Sequence, residues 1–246
     1  MTGLVVVTRP GNEAKALAAE ILRRGYEPLI APMLIIETLD TPLPDLGRYG
    51  ALAFTSANGV SAFAERSPER GVPVYAVGGA TARALSAAGF HDIRMGGGDA
   101  ESLASLIARS ADRRPVLHIS GREIARDLSA PVGQHGVELD RVILYGAHAP
   151  SAPPRGLVAA LCARKVAYVL LFSTRTAMIF GTLLNEAGLM EMVRPSTALC
   201  LSAQVADGAA ALPWATVKIA DRPRTSDLLA LLPPSAGHDR TEADGQ

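Results

Sequence analysis

The chain reads as an α/β protein built on parallel β-sheets. Three observations carry that reading. Short apolar runs, rich in Val, Leu and Ala, recur along the 246 residues. Segments with apolar residues at the 3–4 spacing of a helix fall between most of them. Most runs end in a small polar or glycine turn, as a strand feeding a crossover helix should.

The first run, Leu4–Thr8, is continuous and β-branched, which suits a strand buried on both faces. Arg9-Pro10-Gly11-Asn12 breaks it, and Asn12 is placed to cap the helix that follows. Ala14, Leu17, Ala18, Ile21 and Leu22 form that helix's apolar stripe, and Gly25 ends it. Glu27–Ala31 resumes as a strand. Further strands are predicted at Ala51–Thr55, Val74–Val77, Ile93–Met95, Val116–Ser120, Leu139–Tyr145, Val166–Ser173, Ala198–Leu201 and Thr216–Ala220. Gly96-Gly97-Gly98-Asp99 reads as a turn with an aspartate helix cap rather than a phosphate loop. Residues 34–44 are apolar and then broken by proline, and Gly146–Pro154 is rich in Pro and Ala without a period; both read as links.

The order of elements repeats. Residues 5–29 align with 116–140, 51–63 with 168–180, and 74–84 with 198–208. Leu17 meets Leu128, Gly25 meets Gly136, Phe54 meets Phe172 and Phe63 meets Phe180. Two linear halves of about 120 residues would be the simple division. The links instead fall after a strand–helix–strand unit, which favours a swapped arrangement. Residues 1–36 with 149–233 would form one domain, 37–148 the other, and 234–246 a disordered tail. Two domains joined by two crossover links can hinge about a cleft between them.

Composition narrows the function. Lys+Arg 24 balance Asp+Glu 24, so the basic footprint of a nucleic-acid binder is absent. The longest uncharged stretch, Tyr49–Ala64, is 16 residues and carries Thr, Asn, Gly and two Ser, short of the roughly 20 apolar residues a membrane helix needs. The N-terminus has no basic region before its apolar run and no long hydrophobic segment, so the expectation is a cytoplasmic protein with neither nucleic-acid nor membrane partners. Cys162 and Cys200 sit in no metal-ligand spacing and read as buried small apolar residues. Only three of the basic residues are lysines, and arginine suits bidentate carboxylate binding.

The strand ends hold the candidate site. Thr8-Arg9-Pro10, Thr55-Ser56-Ala57-Asn58, Gly78-Gly79-Ala80-Thr81, Ser120-Gly121-Arg122, Ser173-Thr174-Arg175 and Ser202-Ala203-Gln204 each stand where an open α/β sheet binds ligands. As helix starts they offer backbone N–H groups and a positive dipole end to an anion, although such residues also cap helices with no ligand. No P-loop, dinucleotide fingerprint, nucleophile elbow or zinc-protease motif is present. His118 lies in a strand and reads as core rather than as a base. Tyr145 ends its strand beside the second link, as a half-buried strand tyrosine or as an acid in a cleft.

At VVVTRP (5–10), FTSANGV (54–60), VYAVGGATARAL (74–85), HISGREIARDL (118–128), VILYGA (142–147) and LLFSTRTA (170–177) the chain resembles the uroporphyrinogen-III synthases of tetrapyrrole biosynthesis. The likeness spans about residues 1–232. It implies the swapped fold: two parallel-sheet (flavodoxin-like or Rossmann-like) domains joined by two crossover links, with a cleft between them. It also implies cyclisation of hydroxymethylbilane to uroporphyrinogen III, with loss of water and inversion of the last pyrrole ring through a spiro intermediate. No metal and no organic cofactor is implied. The expected partner is a linear tetrapyrrole carboxylate; a monomer is expected, and transient contact with the preceding deaminase is left open.

Carried over by motif, Tyr145 would give a proton to the leaving hydroxyl and Thr81 would hydrogen-bond the substrate. Ser56, Ala57, Asn58, Gly78, Gly79, Ala80, Gly121, Arg122, Ser173 and Thr174 would hold its acetates and propionates through backbone N–H groups, with Arg9 and Arg175 as carboxylate partners. Where many members carry G-x-T-T-A, this chain has Ser202-Ala203-Gln204-Val205-Ala206, and Gln204 is the expected substitute. The competing class is a non-catalytic two-domain binding or regulatory module. A secreted binder should carry a signal peptide and a repressor an N-terminal helix-turn-helix, and neither pattern is read here.

Overall fold

The computed structural model describes residues 3–110, 114–123 and 127–234, apart from the side chains of Asn12 and Ser110. Of the expected disordered tail only Pro234 lies within them. The chain opens with β1 (Leu4–Val7), α1 (Gly11–Arg23) and β2 (Glu27–Ile30). It continues through β3 (Ile35–Thr38), β4 (Ala51–Phe54), α2 (Ala57–Arg66), β5 (Val74–Ala76), α3 (Gly79–Ala87), β6 (Ile93–Met95), α4 (Ala100–Ser110), β7 (Val116–Gly121), α5 (Ser129–Gly133) and β8 (Leu139–His148). It closes with α6 (Arg155–Cys162), β9 (Val166–Leu171), α7 (Thr174–Glu186), β10 (Thr197–Cys200), α8 (Ala203–Ala209), β11 (Thr216–Ile219) and α9 (Thr225–Ala230).

Two compact units result, Met1–Ile35 with His148–Gln246, and Ile36–Ala147. The first holds a five-stranded sheet in the order β11-β10-β9-β1-β2, and the second a six-stranded sheet in the order β3-β8-β7-β4-β5-β6. The pairings β1–β2, β1–β9, β9–β10, β10–β11, β4–β5, β4–β7, β5–β6 and β7–β8 are all parallel.

The central strands of both sheets are covered on both faces, which is why they are continuous apolar runs. In the first unit Val5 and Val7 pack with Leu17 and Ile21 of α1 and Leu228 of α9, while Val6 packs with Leu161, Phe180 and Leu184. In the second, Ala51 and Ala53 join Leu103 and Ile107 of α4, while Leu52 and Phe54 join Phe63 of α2 and Leu85 of α3. Gly25 and Gly136, equivalent in the repeat, both have positive φ, +79° and +71°, which only glycine adopts freely.

Four local expectations change. The first helix begins at Gly11 behind Pro10, so Asn12 lies inside it rather than capping it. The presumed link at 34–44 contains β3: its residues alternate exposed and half-buried at a sheet edge, too brief a pattern to stand out before Pro42 and Pro44 in sequence. Strand β8 runs three residues past Tyr145, to His148, with β3 as its neighbour at the sheet edge. Cys162 is exposed, since it ends α6 off the stripe of Leu157, Ala160 and Leu161; Cys200 is buried as expected. Asp99 does cap its helix, accepting the Ser102 N–H at 2.7 Å.

Candidate functional site

In each unit the parallel strands bring several loop starts to one sheet edge. In the second unit these follow β4, β5, β7 and β8. Ser56 is the N-cap of α2, and its hydroxyl accepts the Asn58 N–H at 3.1 Å, so Ala57 and Asn58 form the first turn. Gly78 precedes α3 without a side-chain cap; Gly79, Ala80 and Thr81 make its first turn, and Thr81 is buried. These two helix starts carry the partial positive charge that suits a carboxylate.

Gly121 and Arg122 behave differently from expectation. Strand β7 runs through Gly121, the Arg122 N–H donates to Tyr145 O at 2.8 Å, and among the described residues the next helix, α5, begins at Ser129. Gly121 thus ends the strand instead of opening a helix, and the Arg122 N–H serves the ladder instead of an anion. Gly121 has another role. A Cβ there would stand 2.7 Å from Cε2 and Cζ of Tyr145 and 3.1 Å from its hydroxyl oxygen. A Cβ on Gly59 would lie 3.5 Å from the other side of the ring and 3.2 Å from Ile119 O. Two glycines thus make the seat of the Tyr145 ring, at the end of β7 and in the first turns of α2.

The register of β8 aims that ring. Ser120 lies opposite Ile143, but Gly121 lies opposite Tyr145, so Leu144 is an extra residue. A one-residue shift turns the following side chain to the other face of a sheet. Leu144 is buried and Tyr145, packed against the same apolar cluster, is half-buried.

Behind this edge His118 is fully buried. Its Nε2 lies 3.2 Å from Thr55 Oγ1, and its Nδ1 has no hydrogen-bond partner among the described residues. Burial, with the nearby Arg141 cation, pulls its pKa down to about 4 against an opposing pull from Asp127. The ring is neutral at pH 7, in keeping with a core residue.

Sequence reasoning missed Arg141. Its Nε donates to Ser120 Oγ at 2.7 Å and its Nη2 to Gly121 O at 2.7 Å. The signal was a charged residue four positions before Tyr145 in an apolar strand. A cavity of about 680 Å³ beside it is lined by Leu39, Pro42, Tyr49, Arg122 and Asp140, among others.

The first unit's edge holds the ends of β1, β9 and β10. Thr8 is buried and donates to Leu170 O at 2.7 Å. The Arg9 guanidinium sits 4.2 Å over the Phe172 ring and 2.9 Å from Glu13, so it is held between the end of β9 and the first turn of α1. Ser173 caps α7 in a capping box with Thr176. Thr174 donates to Gln204 O at 3.1 Å, and Gly208 lets α7 and α8 approach: a Cβ there would meet Thr174 at 3.0 Å. Arg175 and the Gln204 side chain are exposed in the first turns of α7 and α8. Among the described residues no helix is long and apolar enough to cross a membrane.

A family profile described as Uroporphyrinogen-III synthase HemD matches residues 15–230, which takes in most of both units. Among curated proteins nothing matches. The fold is similar to the crystal structure of uroporphyrinogen-III synthetase from Helicobacter pylori 26695, with a TM-score of 0.60 at 18% identity over 94% of this chain and 98% of that one. A mutant uroporphyrinogen III synthase from the extremely thermophilic bacterium Thermus thermophilus is also matched, with a TM-score of 0.45 at 18% identity over 93% of this chain and 96% of that one.

Proposed function

The chain belongs to the uroporphyrinogen-III synthase family, and from that premise we propose that it cyclises hydroxymethylbilane to uroporphyrinogen III. The family match across residues 15–230 is the observation that carries this reading. The chemistry is a problem of control. A proton reaches the hydroxyl of the terminal hydroxymethyl group, the C–O bond breaks, and water leaves. The resulting azafulvene-like cation must then be attacked by the substituted carbon of the last ring, giving the spiro intermediate. The bond from that carbon to its original methylene bridge then breaks, the bridge bonds instead to the free α-carbon of the same ring, which inverts it, and loss of the proton on that carbon restores the aromatic pyrrole.

Uninverted closure competes in water, so the protein's task is to fold the chain and exclude solvent. Tyr145 is the proposed proton donor: its phenol lies at the C-terminal edge of its sheet, seated by Gly121 and Gly59. The first turns of α2, α3 and α7 take substrate carboxylates on backbone N–H groups, each worth about 0.3–1 kcal/mol where exposed. Thr81 is assigned a hydrogen bond to substrate, and Arg9, Arg175 and Gln204 side-chain contacts. Arg9 must leave Glu13 to make its own. The reading takes the enzyme as a cytoplasmic monomer that needs no cofactor; no observation favours the non-catalytic module.

The test supplies hydroxymethylbilane made in situ, oxidises the products and separates isomer I from isomer III by chromatography. Isomer III should dominate and depend on the protein. Isomer I at the uncatalysed rate from folded protein overturns the reading. Tyr145→Phe should slow turnover roughly 100-fold without abolishing it, the scale of a positioned general acid. An unchanged kcat removes the acid role from Tyr145.

A further inference from the structure

The face that Tyr145 occupies is decided by one irregularity. Along β8, Arg141 pairs with His118 and Ile143 with Ser120, on one face of the sheet. Val142 and Leu144 lie on the other face, in the cluster with Leu117 and Ile119. Regular alternation would put Tyr145 with Arg141 and Ile143, away from Gly59 and α2. The extra residue at Leu144 reverses this and lays the ring over Gly121.

Something must hold that irregularity, because a bulge interrupts the ladder where it occurs; on the β3 side the Leu39 N–H takes up Leu144 O at 2.7 Å. Arg141 spans it from the opposite face. One nitrogen takes the Ser120 hydroxyl at 2.7 Å, and that hydroxyl in turn donates to Val142 O at 3.3 Å. Another takes Gly121 O at 2.7 Å and reaches Arg122 O at 3.4 Å. The guanidinium thus ties the last residues of β7 to β8 across the bulge, and its planar fork suits two acceptors at once. The residue it grips, Gly121, is the one the phenol rests on.

We infer that Arg141 is the positioning residue of Tyr145, acting through the β7–β8 bulge and Gly121 rather than on the substrate. This rests on the reading of Tyr145 as the proton donor. A misplaced donor slows the chemical step and leaves ground-state binding alone, so the loss falls on kcat.

The experiment is a double-mutant cycle on the full chain, with kcat and KM from isomer III formation and folding checked by thermal unfolding. Arg141→Ala should lower kcat roughly tenfold, the scale of a small misplacement, and leave KM within about twofold. Added to Tyr145→Phe it should lower kcat no further, because the group it positions is gone. Arg141→Lys, with charge but no fork, should fall between, and it carries the same cycle if Arg141→Ala does not fold. Additive losses, or a raised KM with kcat intact, overturn the inference and put Arg141 on the substrate. A slow Tyr145→Phe beside an unchanged Arg141→Ala overturns it while the Tyr145 reading stands. A Tyr145→Phe enzyme at wild-type rate brings down both.

Discussion

The two units are copies that diverge at one strand. Under the sequence repeat β1 corresponds to β7, β2 to β8, β9 to β4 and β10 to β5. The sheets then share one order, β2-β1-β9-β10-β11 in the first and β8-β7-β4-β5-β6 in the second. At the far edge they part. Strand β2 is four residues long and ends its sheet, while β8 is ten residues long, carries the bulge and Tyr145, and takes β3 as a further neighbour. Among the described residues the helix between the paired strands has 13 residues in α1 and five in α5. The scaffold and its helix starts are therefore duplicated, while the phenol and its seat occur in one copy. Packing can be repeated because it needs only an apolar pattern; an aimed side chain needs a particular register.

The comparison can be broken first in the cores. Phe63 and Phe180 occupy equivalent places and are both fully buried, yet Phe63 packs against Phe54 and Phe90 while Phe180 stacks on Trp214. Changing either to Ala should cost about 3–5 kcal/mol. If the copies are equivalent in packing, the two losses agree within about 1 kcal/mol by chemical denaturation. A near-neutral loss at one site would show that its core is not organised as described.

Next comes His118, whose counterpart in the first unit is Val7. The unfolded imidazole takes a proton near 6.5 and the buried one only at about 4. Between those values the unfolded state binds more protons. This contribution to stability is thus complete above pH 6.5 and lost as pH falls toward 4, by about 3 kcal/mol for such a shift. His118→Val, which carries the first unit's residue into the second, should flatten the stability curve across that window. An unchanged slope would mean that His118 is already charged in the folded protein.

The smallest effect is expected at the caps. Ser173 makes a reciprocal box with Thr176, whereas Ser56 accepts only the Asn58 N–H. Ser173→Ala should cost about 1 kcal/mol and Ser56→Ala less. Calorimetry on both variants decides this, and equal losses would remove the distinction.

Much of the candidate site was legible because its residues are helix-start residues. Ser56, Gly78, Thr81, Ser173 and Gln204 stand in or just before first turns, as their place after apolar runs indicated. Gly121 and Arg122 were misread because a glycine after a strand looks the same whether a helix or more ladder follows. Arg141 was passed over because it belongs to no local pattern, and Gly59 because, inside the quoted stretch 54–60, nothing marks it apart from its neighbours. A lone arginine in a strand and a glycine inside a helix gain meaning only from what lies across the sheet.

The sequence by itself determined the alternation of strands and helices, the repeat, and the sheet edge to which the polar turns belong. Each follows from apolar periodicity and turn residues within a few positions of one another. Only the tertiary structure decided that β3 exists, that β8 slips by one residue at Leu144, and that Tyr145 therefore lies over Gly121. Those outcomes depend on hydrogen bonds between residues far apart in the chain, such as Arg141 to Ser120 across 21 positions. A one-residue slip changes the face of an aromatic ring while leaving the apolar pattern of the strand unaltered.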